Sequence, residues 1–149
     1  MKDWAEAISG IARAAGDEIM TVYAQDFNVI QKADASPLTQ ADLAAHRCIV
    51  SKLPALDSRL PILSEESADI AWSERRNWSR YWLVDPLDGT REFIKKNGEF
   101  TVNIALIENG EPILGVVYAP VIDWLLVGGR GFGAHWHKAG NSGIATVAE

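Results

Sequence analysis

Two carboxylates near the middle of the chain have the type and spacing of a metal site. Asp85 and Asp88 follow the apolar run Tyr81–Val84, which predicts a strand, and precede Gly89-Thr90, which predicts a turn and a helix start. Carboxylate oxygens without nitrogen or sulfur partners favour Mg2+ or a similar hard cation. Backbone N–H groups at a helix start also suit a phosphate. The segment therefore predicts a cation and a phosphate at one point.

Each aspartate taken singly has a structural explanation. Asp88 before a glycine is typical of a turn or an N-cap, and Asp85 is typical of an Asx turn that ends a strand. The pair Glu65-Glu66 lies upstream. Because carboxylates that are brought together repel one another unless a cation compensates, the acids taken together favour a metal site.

Two known motifs have a spacing close to this one. An EF-hand loop beginning at Asp85 would need an oxygen ligand two residues on and a glutamate at its twelfth position, where Leu87 and Lys96 stand. A haloacid-dehalogenase-type phosphatase has its two aspartates two residues apart, whereas Asp85 and Asp88 are three apart with Pro86 between them. The EF-hand is therefore excluded, and the second motif stays as an alternative.

Three further patterns have structural explanations. Thr39 and Asp42 have the spacing of a capping box, with Thr39 at the start of a helix. The glycines in 128–133 predict a hairpin turn, because no helical pattern follows them. The three histidines predict surface or strand-pair roles, and the six tryptophans predict core positions.

The composition narrows the class of protein. The chain has 149 residues, and a hydrophobic content of 48% is enough for one domain with a core. A net charge of -6 argues against a nucleic-acid partner. The single cysteine, Cys48, predicts a buried structural thiol in a reducing compartment. Without a signal-peptide pattern or an apolar run of about 20 residues, we expect no transmembrane segment and a cytoplasmic location.

Helical spacing of apolar residues predicts two amphipathic helices in the first third of the chain. The second begins in the segment 36–42, where Pro37 and Thr39 mark a helix start. The first has on its apolar face Trp4, Ile8, Ile11, Ala15, Ile19 and Val22. The second has on its apolar face Ala41, Ala45, Cys48, Ile49 and Leu53.

Strand patterns dominate after Pro54. Asn109-Gly110 separates two of the apolar runs and predicts a hairpin, and the small polar residues 138–149 predict a fraying tail. The predicted strands are 60–63, 81–84, 101–106, 113–118, 124–127 and 132–136. Helices segregated onto one side of an antiparallel sheet predict an α+β fold.

Four segments, in order along the chain, carry a resemblance to a known family. They are KADASPLTQAD at 32–42, LSEES at 63–67, WLVDPLDGTREF at 82–93 and NGEFTVNIAL at 97–106. Together they resemble the inositol monophosphatase superfamily of Mg2+-dependent, lithium-sensitive phosphatases, and within it the bacterial 3'(2'),5'-bisphosphate nucleotidases. The resemblance reaches to about Trp136. It implies the first lobe of the sugar-phosphatase fold.

The resemblance implies an activity and its cofactor. The activity is removal of the 3'-phosphate from adenosine 3',5'-bisphosphate, a small phosphorylated nucleotide, to give AMP and phosphate in sulfate assimilation. The cofactor is Mg2+, with two or three ions in the complete site. By motif position, the implied metal ligands are Glu65, Asp85, the backbone carbonyl of Leu87, and Asp88.

The resemblance also implies the residues that meet the substrate and those that act on it. Asp42, Thr90 and Glu65 are the implied catalytic residues, with Asp42 acting through Thr90 to orient the attacking water. Lys32 and Asp34 would belong to a loop over the site that contributes to another metal. The implied substrate-binding residues are Glu65, Leu87, Asp88, Gly89 and Thr90.

The superfamily has a second lobe of comparable size, which carries a further metal-binding aspartate in a Trp-Asp motif and most of the nucleoside pocket. Residues 1–149 match the first, metal-binding lobe, and Asp123, the one aspartate after Asp88, falls in a predicted hairpin turn. The alternatives for these residues are therefore a phosphatase, a non-catalytic metal- and phosphate-binding remnant, or an inositol or sugar monophosphatase. We also expect an uncovered sheet face that favours a homo-oligomer, and the relatives allow peripheral association with the inner membrane.

Overall fold

The computed structural model describes residues 1–27, 36–64 and 70–145. The helices are α1 (Lys2–Tyr23), α2 (Pro37–Lys52), α3 (Trp72–Arg75) and α4 (Thr90–Ile94), with a 3-10 turn at Leu53–Ala55. The strands are β1 (Ile62–Ser64), β2 (Arg80–Asp88), β3 (Thr101–Glu108), β4 (Glu111–Ala119), β5 (Trp124–Gly129), β6 (Gly133–Lys138) and β7 (Asn141–Ile144). The α+β fold predicted from the sequence is confirmed.

The strands form one seven-stranded sheet in chain order, from β1 to β7. All neighbouring pairs from β2 to β7 are antiparallel, and the β3–β4 turn at Asn109-Gly110 has both residues at positive φ, as the sequence predicted. The prediction of a wholly antiparallel sheet was wrong at one edge, because β1 pairs with β2 in parallel. This pairing brings the ends of β1 and β2 to the same side of the sheet.

Two other strand predictions need correction. β2 does not end at Val84 but continues to Asp88, with a register irregularity between Asp85 and Asp88. The segment 138–149 was expected to fray, yet Asn141–Ile144 pairs with β6 as an edge strand. Its small polar residues gave no strand pattern, because an edge strand has little apolar surface to bury.

The core lies between the two long helices and one face of the sheet. The predicted apolar face of α1 is buried, except that Trp4 is half-buried. The predicted face of α2 is buried apart from Cys48, which is only half-buried; burial nevertheless raises the pKa of its thiol. Trp82 is fully buried, whereas Trp72 and Trp124 are exposed, so the prediction of core positions was wrong for these two.

The opposite face of the sheet is apolar and exposed. Leu83 alternates with the buried Trp82 and Val84, so it points away from the helices, and 41% of its surface is exposed. Val117 and Leu126 are direct neighbours on β4 and β5, and they are exposed to 42% and 39%. The predicted uncovered face is therefore present in the described part of the chain.

A cluster of polar side chains connects α1 to the β4–β5 turn. Arg13 Nη1 and Tyr118 Oη both donate to Asp123 Oδ1, at 2.8 and 2.9 Å. Asp123 has a positive φ of 49°, as its predicted turn position allows. Burial of the ring, with the hydrogen bond to Asp123 and its charge, raises the pKa of Tyr118 to about 12.

This shift predicts a late-titrating tyrosine. An ordinary tyrosine loses its proton near pH 10, so the stabilisation from neutral Tyr118 is complete below that pH and is lost as the pH rises towards 12. In an absorbance titration of tyrosinate, we expect a late step, from Tyr118, as the pH approaches 12. The Tyr118→Phe variant should lack that late step, and an unchanged late step would contradict the assignment.

Candidate active site

The two predicted metal-binding aspartates lie at the end of β2. Asp85 is half-buried and faces the open side of the sheet, opposite the direction of Val84. Pro86 and Leu87 are both buried, so the regular alternation of the strand breaks before the exposed Asp88. Proline cannot donate to a strand ladder, which explains why the register is irregular here. The break brings both carboxylates out of the core within four residues.

Asp85 borders a concave region of about 360 Å³ on the open side of the sheet. Leu83, Asn103 and Val117 also line it. The site is therefore on the sheet face that the helices leave uncovered, and it is accessible to a ligand in the described part of the chain.

Two polar side chains on β3 orient Asp88. Asn103 is the register partner of Asp85, and its Nδ2 donates to Asp88 Oδ2 at 3.2 Å. Thr101 Oγ1 donates to Asn103 Oδ1 at 3.1 Å, which leaves the amide nitrogen directed at the carboxylate. A row of two hydrogen bonds thus runs from Thr101 to Asp88.

Sequence reasoning did not assign these two β3 residues to the site. The signal was present, because Thr101 and Asn103 are two residues apart in a strand and so share a face. They interrupt the apolar pattern on the side that proves to be open, next to Asp85.

Gly89 and Thr90 form the predicted turn and helix start. Gly89 has φ 98°, a conformation that L side chains rarely adopt, and a Cβ there would lie 3.1 Å from the Glu99 backbone oxygen. Phe93 of α4 is fully buried and packs edge-on against Phe100 at 5.3 Å. The glycine allows the close approach, and the aromatic contact anchors the short helix that begins at Thr90.

Glu65 lies outside the described residues, as do Lys32 and Asp34. Its predecessor, Ser64, is buried at the end of β1 and is the parallel register partner of Val84. Along the chain, Glu65 follows Ser64 and Asp85 follows Val84. That the two carboxylates share one metal site stays a prediction.

Asp42 is half-buried on α2, and this helix packs against both β2 and α4. The capping prediction was wrong by one turn. Ser36 is the N-cap: its Oγ accepts from the Thr39 backbone N–H at 3.1 Å and donates to Thr39 Oγ1 at 2.8 Å. Thr39 is thus inside the helix, and Asp42 is not part of a capping box.

The donor set agrees with a hard cation. Asp85, Asp88 and the Leu87 carbonyl are oxygen donors within four residues, the ligand type that Mg2+ prefers. Within residues 1–27, 36–64 and 70–145, no three acidic, histidine or cysteine side chains form a group that could hold a metal ion. Glu65, the other predicted carboxylate ligand, lies outside those ranges.

The sequence pattern of the inositol monophosphatase family matches residues 1–143. The chain belongs to this family. It is 58% identical over 120 residues to the 3'(2'),5'-bisphosphate nucleotidase CysQ of Escherichia coli strain K12, covering 79% of this chain and 48% of that protein. The chain thus spans about half the length of the curated relatives it matches.

Solved structures of the family share the fold. The crystal structure of CysQ from Bacteroides thetaiotaomicron, a bacterial member of the inositol monophosphatase family, matches with a TM-score of 0.81 and 42% identity, covering 99% of this chain and 52% of that one. Extragenic suppressor protein suhB from Bartonella henselae matches with a TM-score of 0.71 and 30% identity, covering 88% and 50%. The half-length match therefore holds for structures as well as sequences.

Within the described ranges, no helix has both the length and the apolar character of a membrane span.

Proposed function

We propose that residues 1–149 form the metal- and phosphate-binding lobe of a Mg2+-dependent phosphatase. The reaction would remove the 3'-phosphate of adenosine 3',5'-bisphosphate and give AMP and phosphate. The observation that carries the proposal is the end of β2, where Asp85 and Asp88 leave the core directly before the positive-φ Gly89 and the helix start at Thr90. The bisphosphate nucleotidase relatives support the reaction class and the substrate.

Glu65, Asp85, Asp88 and the Leu87 carbonyl would hold Mg2+. When bound, the ions would supply positive charge against the phosphate and acidify a water molecule. Asn103 would keep the Asp88 carboxylate in a fixed orientation, because its amide already donates to Oδ2. Glu65, Leu87 and Asp88 would also contribute to binding the phosphate group of the substrate.

Asp42 and Thr90 would accept the proton of the attacking water. The packing of α2 on α4 supports this pairing, since Asp42 is on the first helix and Thr90 begins the second. Thr90 Oγ1 would accept a proton from the attacking water while its own hydroxyl proton passes to the Asp42 carboxylate. The backbone N–H groups of Gly89 and Thr90 would donate to the phosphate oxygens.

We further propose a role in sulfate assimilation in the cytoplasm, with a nucleotide as the substrate. Peripheral membrane association and homo-oligomer formation stay predictions. The exposed pair Val117 and Leu126 on the open sheet face supports association between copies, because contiguous apolar surface favours contact with another surface.

A second candidate is a non-catalytic module that binds Mg2+ and phosphate. The end of β2 is compatible with it, because two carboxylates beside a helix start can bind ligands without turning a substrate over. The family match leaves a third candidate, an inositol or sugar monophosphatase.

Phosphate release distinguishes the three candidates. With Mg2+ present, we expect the chain to release phosphate from adenosine 3',5'-bisphosphate faster than from inositol 1-phosphate at the same concentration. Faster release from the inositol or a sugar phosphate would favour the third candidate instead. Saturable Mg2+ binding without release from any substrate would support the non-catalytic module.

A further inference from the structure

Ser64 is the one polar side chain that is buried in the described part of the chain, with 1% of its surface exposed. Its Oγ lies 2.9 Å from Nδ1 of His46, a residue of α2. Either ring tautomer makes this bond, because Nδ1 donates to the hydroxyl when it carries a proton and accepts from it when it does not. The contact therefore joins α2 directly to the end of β1.

β1 has three residues, lies at the edge of the sheet and, in the described part of the chain, pairs with β2 alone. Ser64 is level with Val84, one residue before Asp85. A bond that fixes Ser64 therefore acts next to the position from which the Asp85 carboxylate leaves the core.

The same helix carries Asp42 one turn before His46. Residues four apart in a helix lie on the same face, so Asp42 and His46 share one face of α2. Both are half-buried, and Ala45 and Ile49 beside them are fully buried. Because α2 is rigid over one turn, the position of His46 relative to Ser64 also determines the position of Asp42 relative to the end of β2.

We propose that His46 is a positioning residue for the active site. Its hydrogen bond to Ser64 holds α2 against the β1–β2 edge and so sets the distance from Asp42 to the metal held at Asp85. This inference rests on the proposed function, in which Asp42 accepts a proton and Asp85 binds the metal. The distance between these two carboxylates matters only if both roles hold. The imidazole itself acts only through Ser64 and α2.

A purely structural role makes a different prediction. If the bond only stabilises the fold, its loss lowers the melting temperature while the native distance from Asp42 to the metal stays the same. If the bond positions α2, its loss changes that distance in molecules that are still folded.

Paramagnetic broadening by Mn2+, used in place of Mg2+, measures this distance. The broadening of an amide signal falls steeply as its distance from the ion grows. We expect the His46→Ala and Ser64→Ala variants to lose much of the broadening at the Asp42 amide while keeping it at Asn103 beside Asp85. The Ser64→Ala change removes one hydroxyl, so it carries the test if His46→Ala does not fold.

Conservative and neighbouring variants provide the controls. His46→Asn should restore the broadening at Asp42, because asparagine places a polar atom on Cγ as Nδ1 is placed in histidine, whereas His46→Leu should not. Arg47→Ala changes an exposed neighbour on the same helix and should behave like the wild type.

The outcomes separate this inference from the proposed function. If the wild type binds Mn2+ and the His46→Ala or Ser64→Ala variant broadens Asp42 as the wild type does, the positioning role is wrong and the metal site stands. If the folded wild type shows no Mn2+ binding, the metal site itself is wrong, and the positioning role is overturned with it.

Discussion

Asparagine in place of Asp85 is expected to lower the Mg2+ affinity of the chain by about 100-fold or more, because the variant keeps the shape of the side chain but removes the charge of a ligand. Asp85 is half-buried between Val84 and Pro86, which are both buried, so the backbone on either side of the carboxylate is held by the core. Phosphate release, where it occurs, should be lost in the same variant. Calorimetric titration with Mg2+ measures the affinity.

The matched control for Asp85→Asn is Asp17→Asn. Asp17 is exposed on α1, so the control makes the same change in net charge away from the sheet face that holds the site. Melting curves of both variants show whether the fold is retained. Equal Mg2+ affinity in Asp85→Asn and Asp17→Asn would remove Asp85 from the ligand set.

Alanine in place of two glycines of α1 is expected to change the free energy of unfolding in opposite directions. Gly16 is buried, and a Cβ there would lie 2.6 Å from Tyr118 Cε2 and 3.2 Å from Pro120 Cβ. Since the Tyr118 hydroxyl is bound to Asp123, the ring is not free to move aside. We expect Gly16→Ala to lower the free energy of unfolding by about 1–3 kcal/mol through overpacking.

Gly10 is the internal control for this prediction. It lies in the same helix, but a Cβ there would have no atom within 4 Å. Gly10→Ala should therefore raise the free energy of unfolding by about 0.5–1 kcal/mol, the gain that alanine has over glycine in a helix. Urea denaturation measures both variants. If Gly16→Ala raised the free energy of unfolding as Gly10→Ala does, the approach of α1 to Tyr118 would not be as close as described.

Local patterns were sufficient for much of this fold. The apolar spacing of Ile8, Ile11 and Ile19 predicted the buried face of α1, because a helix that packs on a sheet must bury one stripe. Asn109-Gly110 predicted its hairpin because both residues tolerate positive φ. These features depend on residues close together in sequence.

Features that depend on distant residues were harder to predict. β1 pairs with β2 in parallel, with Ser64 opposite Val84. The sequence of a three-residue strand does not indicate which strand it pairs with or in which direction. The helix cap was predicted at Thr39, but Ser36 is the N-cap, because the backbone turns into the helix three residues earlier. Trp124 was expected in the core because a strand pattern does not show which face is covered.

In the candidate site too, residues close together in sequence were predicted, and residues that act across elements were not. Asp85, Asp88 and Gly89 were predicted from consecutive residues, and the structure places them together at the end of β2. Asn103 and His46 were not assigned, because the first reaches Asp88 across a strand pair and the second reaches Ser64 from a helix. Their contributions become visible only once the chain is folded.

One site at the end of β2 is proposed to bind a metal ion and a phosphate together. Calorimetric titration of the wild-type chain with Mg2+, in the presence and absence of inorganic phosphate, measures this coupling. We expect saturable Mg2+ binding whose affinity increases with phosphate, since two ligands that stabilise each other must do so reciprocally. Absence of saturable Mg2+ binding, or an affinity that phosphate leaves unchanged, would contradict it.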